Sequence, residues 1–345
     1  MEEERLVHRR LPGPRVRWQL ARWAWKLVLG FIPGIVLLAL LARGLDLNQL
    51  VRGIAQVDPL WGSLAFVSVL ITTAAKIARW RGLWPGDAPP DWCGLGRSLL
   101  IGQCANALLP ARLGDLLRVL VVGGEHVSRS MALGTVAAEK FLDVCSLLAL
   151  AGLTVALGDW PWWVDLSLAG LVAVGLALLA LILSSRGSWL QAWMDRWASR
   201  LPFGSGARLQ GIAARCLVGL ATIRQPRVAL RASLWSVLIW ALAASTNYVL
   251  FLAFSLWLPF KTALLLLIVL HVGVAPPSTP GKLGVFHSLT VLTLQSAHID
   301  RPTSLAYAIV LYLIVYLPQI VPGAVLLSSY SFGSLSHLGR GPDRP

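Results

Sequence analysis

Two short stretches place charge where an apolar chain should carry none. In "LLPARLGDLLRV", Leu108 to Val119, a proline, two arginines, an aspartate and a glycine interrupt a long apolar run. In "TPGKLGVFHSLTVL", Thr279 to Leu292, the order proline, any residue, basic residue, Leu, Gly occurs again. Pro110 and Pro280 break a helix, and Gly114, Gly281 and Gly284 permit a turn. A short helix starting after each turn directs its unpaired N–H groups and positive dipole end into the membrane interior. Arg112 and Lys282 add cationic heads at the same places. A helix N-terminus beside a basic side chain is an anion site, and arginine can hold a phosphate through two parallel hydrogen bonds. The expected ligand is a buried anionic group, such as the phosphate of a lipid. Asp115 and Arg118 admit two readings: they touch this ligand, or Asp115 caps the following helix and pairs with Arg118 three residues on.

A second charged group follows in "EKFLD", Glu139 to Asp143. Glu139 and Asp143 are four apart and share a helix face, and Lys140 lies three before Asp143. Near the centre of a membrane helix each such charge costs about 2.5–3.5 kcal/mol. Arg112, Asp115, Arg118, Glu139, Lys140 and Asp143 therefore have to pair with one another or line a hydrated cavity. Three are basic and three acidic, which suits a closed salt-bridge network that a headgroup could partly replace. A purely structural network locking the first turn is the competing reading.

The elements that must position these residues follow from composition. With 56% hydrophobic residues, 13% charged and a mean hydropathy of +0.68, this 345-residue chain reads as an integral membrane protein. Its net charge of +14 lies mostly between apolar segments. The membrane surface and topology account for it, and nucleic acid is not an expected partner. Apolar runs of spanning length occur at about 24–42, 60–78, 131–157, 164–185, 232–258 and 303–330. The interrupted runs are 98–122 and 262–296. The first run is expected to stay as a signal anchor, since no cleavage site follows it. Residues 1–23 read as a basic interfacial tail, with Trp189, Trp193 and Trp197 marking a second interfacial helix. The spacing of Cys93, Cys104, Cys145 and Cys216 suggests neither disulfides nor a zinc site.

Basic residues set the orientation. With the N-terminus cytoplasmic and 98–122 entering and leaving on one side, inside segments hold 22 of the 30 Lys and Arg, and outside segments hold 4. Were 98–122 to cross fully, the eight arginines of 186–231 would move outside, against the positive-inside rule. Both termini, including the tail 331–345, are expected in the cytoplasm of an inner or plasma membrane protein. Length agrees: twelve residues of helix reach only about 18 Å. A proline-kinked spanning helix is the alternative in each case. The order of elements is then symmetric. Residues 60–157 contain a helix, a hairpin re-entering from inside and a returning helix. Residues 232–330 contain the same unit inverted, with 186–231 as a basic cytoplasmic linker. The expected fold is an all-α polytopic membrane protein, with about six spanning helices and two opposed re-entrant helical hairpins in an inverted repeat. That arrangement is expected of secondary transporters.

The quoted stretches, with "AAEKFLDVCSLLAL", resemble the three motifs of the flippase-type transmembrane domain of lysylphosphatidylglycerol synthases. That family also includes stand-alone flippase-like proteins. The family's P-x-R-x-G-E-x-x-R is similar to Pro110, Arg112, Gly114, Asp115 and Arg118, with aspartate for glutamate. Its E-R-x-x-D is matched by Glu139, Lys140 and Asp143, with lysine for arginine. Its P-G-G-x-G-x-x-E is matched by Pro280, Gly281 and Gly284, departing at Lys282 and at His287. The resemblance covers about 24–330. It implies translocation of a phospholipid or related polar lipid, with no cofactor and no metal. The two departures make the second turn more basic. They suit a more anionic headgroup or a proton-sensitive group at His287, although His287 also reads as an ordinary polar residue of the bundle.

The chain is expected to lack the soluble aminoacyl-transferase domain of the full synthases. A separately encoded lipid-modifying enzyme and a homo-oligomer are conceivable partners. An intramembrane enzyme acting on a lipid phosphate or a polyprenyl-linked sugar is the principal alternative. Against it, the chain has no DxD-type metal motif, no P-loop and no His pair at metal spacing. A non-transporting scaffold is the third, and it leaves the symmetric placement of two charged breaks unexplained.

Overall fold

The computed structural model describes residues 31–84, 89–109, 113–122, 128–158, 160, 162–184, 225–275 and 279–329. Both expected interfacial helices, and the turn residues Pro110 and Arg112, lie outside the described residues. Every regular element among the described residues is helical. The order is α1 (Phe31–Ala42), α2 (Leu47–Ala55), α3 (Pro59–Gly82), α4 (Trp92–Leu108), α5 (Gly114–Val122), α6 (Arg129–Ala156) and α7 (Trp162–Ser184). Then follow α8 (Pro226–Ala253), α9 (Phe260–Gly273), a 3-10 turn (Pro280–Lys282), α10 (Val285–Ser296) and α11 (Arg301–Ser329).

Local chemistry starts several of these helices where they start. Asp58 caps α3, its carboxylate accepting from the N–H groups of Leu60 and Trp61 at 2.8 and 3.2 Å. Pro59 occupies the first turn, where its missing N–H costs nothing. Asp91 caps α4 in the same way, through Gly94 N at 3.0 Å. Asp46 starts α2 by accepting from Asn48 N. That helix was expected to be loop, because nine residues are too few to carry a spanning signal.

The helices α3, α8 and α11 are long and apolar enough to cross a membrane. On α3 the exposed side chains Leu60, Leu64, Val67 and Ile71 recur at helical spacing. On α8 they are Leu230, Leu234, Val237 and Leu238. An outward apolar stripe of this kind is stable against lipid and not against water. This is an integral membrane protein. By contrast α4, α5, α9 and α10, with 17, 9, 14 and 12 residues, reach about 25, 14, 21 and 18 Å, all short of a 30 Å hydrocarbon core.

The short helices pair as hairpins between longer ones. In the first, Asn106 of α4 faces Asp115 of α5, and Gly102 faces Arg118, an antiparallel register. In the second, α9 packs on α10. The packing then repeats between the units: α3 lies along α8, α4 packs on α11, and its counterpart α9 packs on α6. The expected boundaries need three adjustments. α3 continues four residues past 78, α4 begins at Trp92 rather than 98, and α8 begins at Pro226 rather than 232. The extension of α3 matters most. It takes Arg79 and Arg81 into the helix, although the positive-inside count placed them in the cytoplasmic segment that follows.

Two glycines hold the hairpins together for different reasons. Gly114 has ordinary helical geometry, but a Cβ there would fall on the carbonyl oxygen of Gly102 and against Asn106. Gly284 lies at φ +77°, and a Cβ there would meet Gly34 O at 2.6 Å and Leu37 Cβ at 2.9 Å on α1. Gly114→Ala should force α4 and α5 apart and lower stability by about 1–3 kcal/mol. Gly284→Ala adds left-handed strain of about 1–2 kcal/mol to its contact with α1. Both should appear as lower thermal unfolding midpoints of the purified protein in detergent, and an unchanged midpoint for Gly114→Ala would refute the close approach.

Candidate functional site

Five of the expected site residues meet in one place, with one residue the sequence reading left out. Arg118 Nη2 lies 3.1 Å from Glu139 Oε2, and Glu139 Oε1 lies 3.5 Å from Arg79 Nη2. Arg79 Nη1 lies 2.8 Å from Asp143 Oδ1, and Asp143 Oδ2 lies 4.0 Å from Lys140 Nζ. Lys140 Nζ is 3.5 Å from Asp115 Oδ2, and Asp115 Oδ1 is 3.6 Å from Arg118 Nε, which closes the circuit. Signs alternate around all six charges, so each has two opposite neighbours and the sum is zero. A closed neutral network was expected, but its third cation is Arg79 of α3. Arg112, which the count of six had included, lies outside the described residues.

The ring is built on three helices and reaches two more. Glu139, Lys140 and Asp143 share a face of α6, Asp115 and Arg118 belong to α5, and Arg79 enters from α3. Asn106 Nδ2 on α4 donates to Asp115 Oδ1 at 3.1 Å. Arg79 Nη1 also donates to Ser236 Oγ on α8 at 3.0 Å. Trp80 places the Arg118 guanidinium, which sits over its ring at 4.8 Å. The indole is itself fixed, because Trp80 Nε1 donates to Thr135 Oγ1 on α6 at 3.0 Å. Arg79 and Arg118 are 1% and 2% exposed, whereas the Lys140 side chain is 43% exposed. One rim of the ring is therefore open, and the guanidinium side is sealed.

The second turn is organised separately. Lys282 N donates to Thr279 O at 2.8 Å, Thr279 Oγ1 donates to Leu283 O at 2.6 Å, and Tyr312 Oη donates to Gly281 O at 2.7 Å. Gly281, Lys282 and Gly284 have φ of 70°, 55° and 77°. The lysine thus occupies a backbone position suited to glycine. Its Nζ lies 5.2 Å from the centre of the Tyr316 ring. His287 is buried between Phe286 and Tyr312, with ring centroids at 5.8 and 5.1 Å. It points into an aromatic cluster and does not line the central cavity.

That cavity, of about 220 Å³, lies between the two units. Thr72, Thr73 and Lys76 of α3 form one wall, and Asn247 of α8, His271 of α9 and Lys282 face it. Sequence reasoning missed this wall. Lys76 and Arg79 are three apart in a helix with no breaker before Pro85, a spacing that puts both on the helix side facing the protein. Treating a basic residue as the end of a membrane helix concealed it.

Stability should report the asymmetry of the ring. Glu139→Gln leaves both buried guanidinium groups short of a counter-charge and should cost about 3–5 kcal/mol. Lys140→Gln, at the exposed rim, should cost about 0–1 kcal/mol. Equal losses in thermal or denaturant unfolding would mean that the ring does not bear on the fold as a buried unit.

Comparison with known proteins agrees with these motifs. The family model described as "Lysylphosphatidylglycerol synthase TM region" matches residues 23–323. A curated relative, named Glycosyltransferase AglD, from Haloferax volcanii, is 24% identical over 318 residues, covering 82% of this chain and 51% of the relative. The chain thus spans about half the length of that relative. With the match running from residue 23 to residue 323 and including both hairpins and the charged ring, the chain belongs to the family of the lysylphosphatidylglycerol synthase transmembrane region.

Proposed function

We propose that this protein moves a phospholipid or a related anionic or zwitterionic polar lipid between leaflets, and that it catalyses no chemical change. The observation that carries the reading is a cavity with polar and cationic side chains in a partly apolar lining, between two helical units whose outer faces are apolar. A lipid crossing a bilayer has one costly part, its charged headgroup, since an ion at the bilayer centre costs at least several kcal/mol. A cavity lined by lysine, histidine, threonine and asparagine side chains substitutes for the lost hydration, while the acyl chains stay against the outward apolar stripes.

In this reading the two hairpins re-enter the membrane from opposite faces and both termini are cytoplasmic. The unit formed by α3 to α6 moves as one body, because the charged ring joins α3, α5 and α6. Among the described residues, the ring reaches the other unit through Arg79 and Ser236. That bond is worth about 1.5–3 kcal/mol because one partner is charged. Helix α3 is also joined to α8 by packing and by Ser68, which donates to Leu242 O and accepts from Thr246 Oγ1, so the transition has to shift this seam as well. Alternating access about the cavity then follows from rocking of one unit against the other.

A second reading is favoured by the printed name of the Haloferax volcanii relative, a glycosyltransferase. On it, the chain would hold a lipid-linked sugar for transfer. The two readings differ in product. Transport leaves the lipid's mass unchanged and transfer does not.

Liposomes carrying the full chain should exchange a fluorescent phospholipid between leaflets faster than empty liposomes do. Arg112→Ala should slow that exchange by roughly tenfold or more, the effect of removing one charged contact to a buried anion. Exchange no faster than in empty vesicles would sink the transport reading, and a changed lipid mass in the same vesicles would favour glycosyl transfer. Orientation is checked by cysteine labelling. A cysteine introduced at Gln225, before α8, should react only with reagent on the cytoplasmic side.

A further inference from the structure

The central cavity has a chemical character narrower than its place in the fold requires. Lys76 and Lys282 line it from the two different units, and His271 lines it from α9. No described residue lining it is acidic. Asp115, Glu139 and Asp143 are committed elsewhere, since each has two cationic neighbours in the ring.

The backbone supplies a second, independent observation. Lys282 holds φ at 55°, inside the left-handed region, where a side chain costs about 1–2 kcal/mol that glycine does not. An outlier of this kind at the rim of a cavity signals that the side chain is wanted there for something other than folding. In the remaining polar lining, Gln319 carries an amide group, while Asn247 already gives one amide N–H to Ala263 O and Thr73 gives its hydroxyl proton to Val69 O. The Tyr316 ring lies at cation–π distance from the Lys282 ammonium.

We propose that this cavity is a binding site for a terminal phosphate group, and that the lipid carried is a lipid phosphate, a phosphomonoester with no further headgroup, rather than a zwitterionic phospholipid. Lys76 and Lys282 approach the phosphate from opposite walls, and the amides of Asn247 and Gln319 complete its hydrogen bonding. A zwitterion would bring an ammonium into a cavity whose described lining includes cations and no carboxylate. The inference rests on the transport reading for its lipid, and on the cavity alone for its chemistry.

The test measures binding to the purified full chain in detergent, with three probes: short-chain phosphatidate, phosphatidylcholine of the same acyl length, and inorganic phosphate. Phosphatidate should bind, and phosphatidylcholine should bind at least about tenfold more weakly. Lys76→Gln should weaken phosphatidate binding by about tenfold or more, and Lys76→Arg should restore most of it. Lys282→Gly is the decisive variant. It relieves the left-handed strain, so it should keep or raise the thermal unfolding midpoint while weakening phosphatidate binding by about tenfold or more. Equal affinity for phosphatidylcholine, or unchanged binding by both Lys76→Gln and Lys282→Gly, would overturn the proposal. Inorganic phosphate competing as well as phosphatidate does would support the phosphate site but overturn the lipid as its source. Binding without leaflet exchange in liposomes would leave this site standing and remove the transport reading. Exchange that both lysine variants leave intact would do the reverse.

Discussion

A charge in a membrane interior must have its counter-charge within a few ångströms, and the rest of this structure depends on how that demand is met. Six ionised side chains from α3, α5 and α6 close into a ring in which signs alternate and the sum is zero. Because every member has two opposite neighbours, no member can be placed without the others. The first hairpin is therefore fixed against α3 and α6 by electrostatics. Close backbone contact between Gly102 and Gly114 then brings α4 along with α5. A hairpin of 17 and 9 residues is too short to anchor itself by spanning the membrane, so the ring supplies the anchorage that length does not.

The same arrangement explains how one helix serves two environments on its inner side. Arg79 and Lys76 are one turn apart on α3, yet Arg79 is sealed in the ring and Lys76 opens on the cavity. The ring gathers three carboxylates, and no described residue lining the cavity is acidic. On the opposite wall no such ring forms among the described residues of the second turn. Its shape is held by backbone and hydroxyl contacts, among them Tyr312 to Gly281 and Thr279 to Leu283, and by the close fit of Gly284 against Gly34 of α1. The two units thus share an order of elements and differ in what stiffens them. One is held by charge, the other by packing and aromatic contacts around Phe286, His287, Tyr312 and Tyr316.

Much of this was legible in the chain. Pro, Gly and charge inside apolar runs marked both hairpins, and helix-face spacing marked Glu139, Lys140 and Asp143 as a group. Neutrality argued for a closed network before its geometry was known. Four features escaped, each for a physical reason. Arg79 was hidden because hydropathy falls at the first basic residue, although a helix continues as long as its backbone can bond. Helix α2 escaped because nine amphipathic residues resemble a polar loop. His287 was grouped with Lys282 by nearness in sequence, but a helix turns 100° per residue, and it faces aromatic rings instead of the cavity. The cavity escaped because its wall is assembled from α3, α8, α9, α10 and α11, whose lining residues run from Val69 to Gln319, and no local pattern encodes such a meeting.

What the sequence determined by itself are the quantities that add along a chain. These are the apolar runs, the breaks within them, the balance of charge, and the motif residues that identify the family. What only the tertiary structure decided is which charges neutralise which, and which remain facing a cavity. The reason is that Coulomb attraction and close packing depend on distance in space. Arg79 meets Asp143 at 2.8 Å across 64 residues of chain, and Lys76 and Lys282 line one cavity from opposite units.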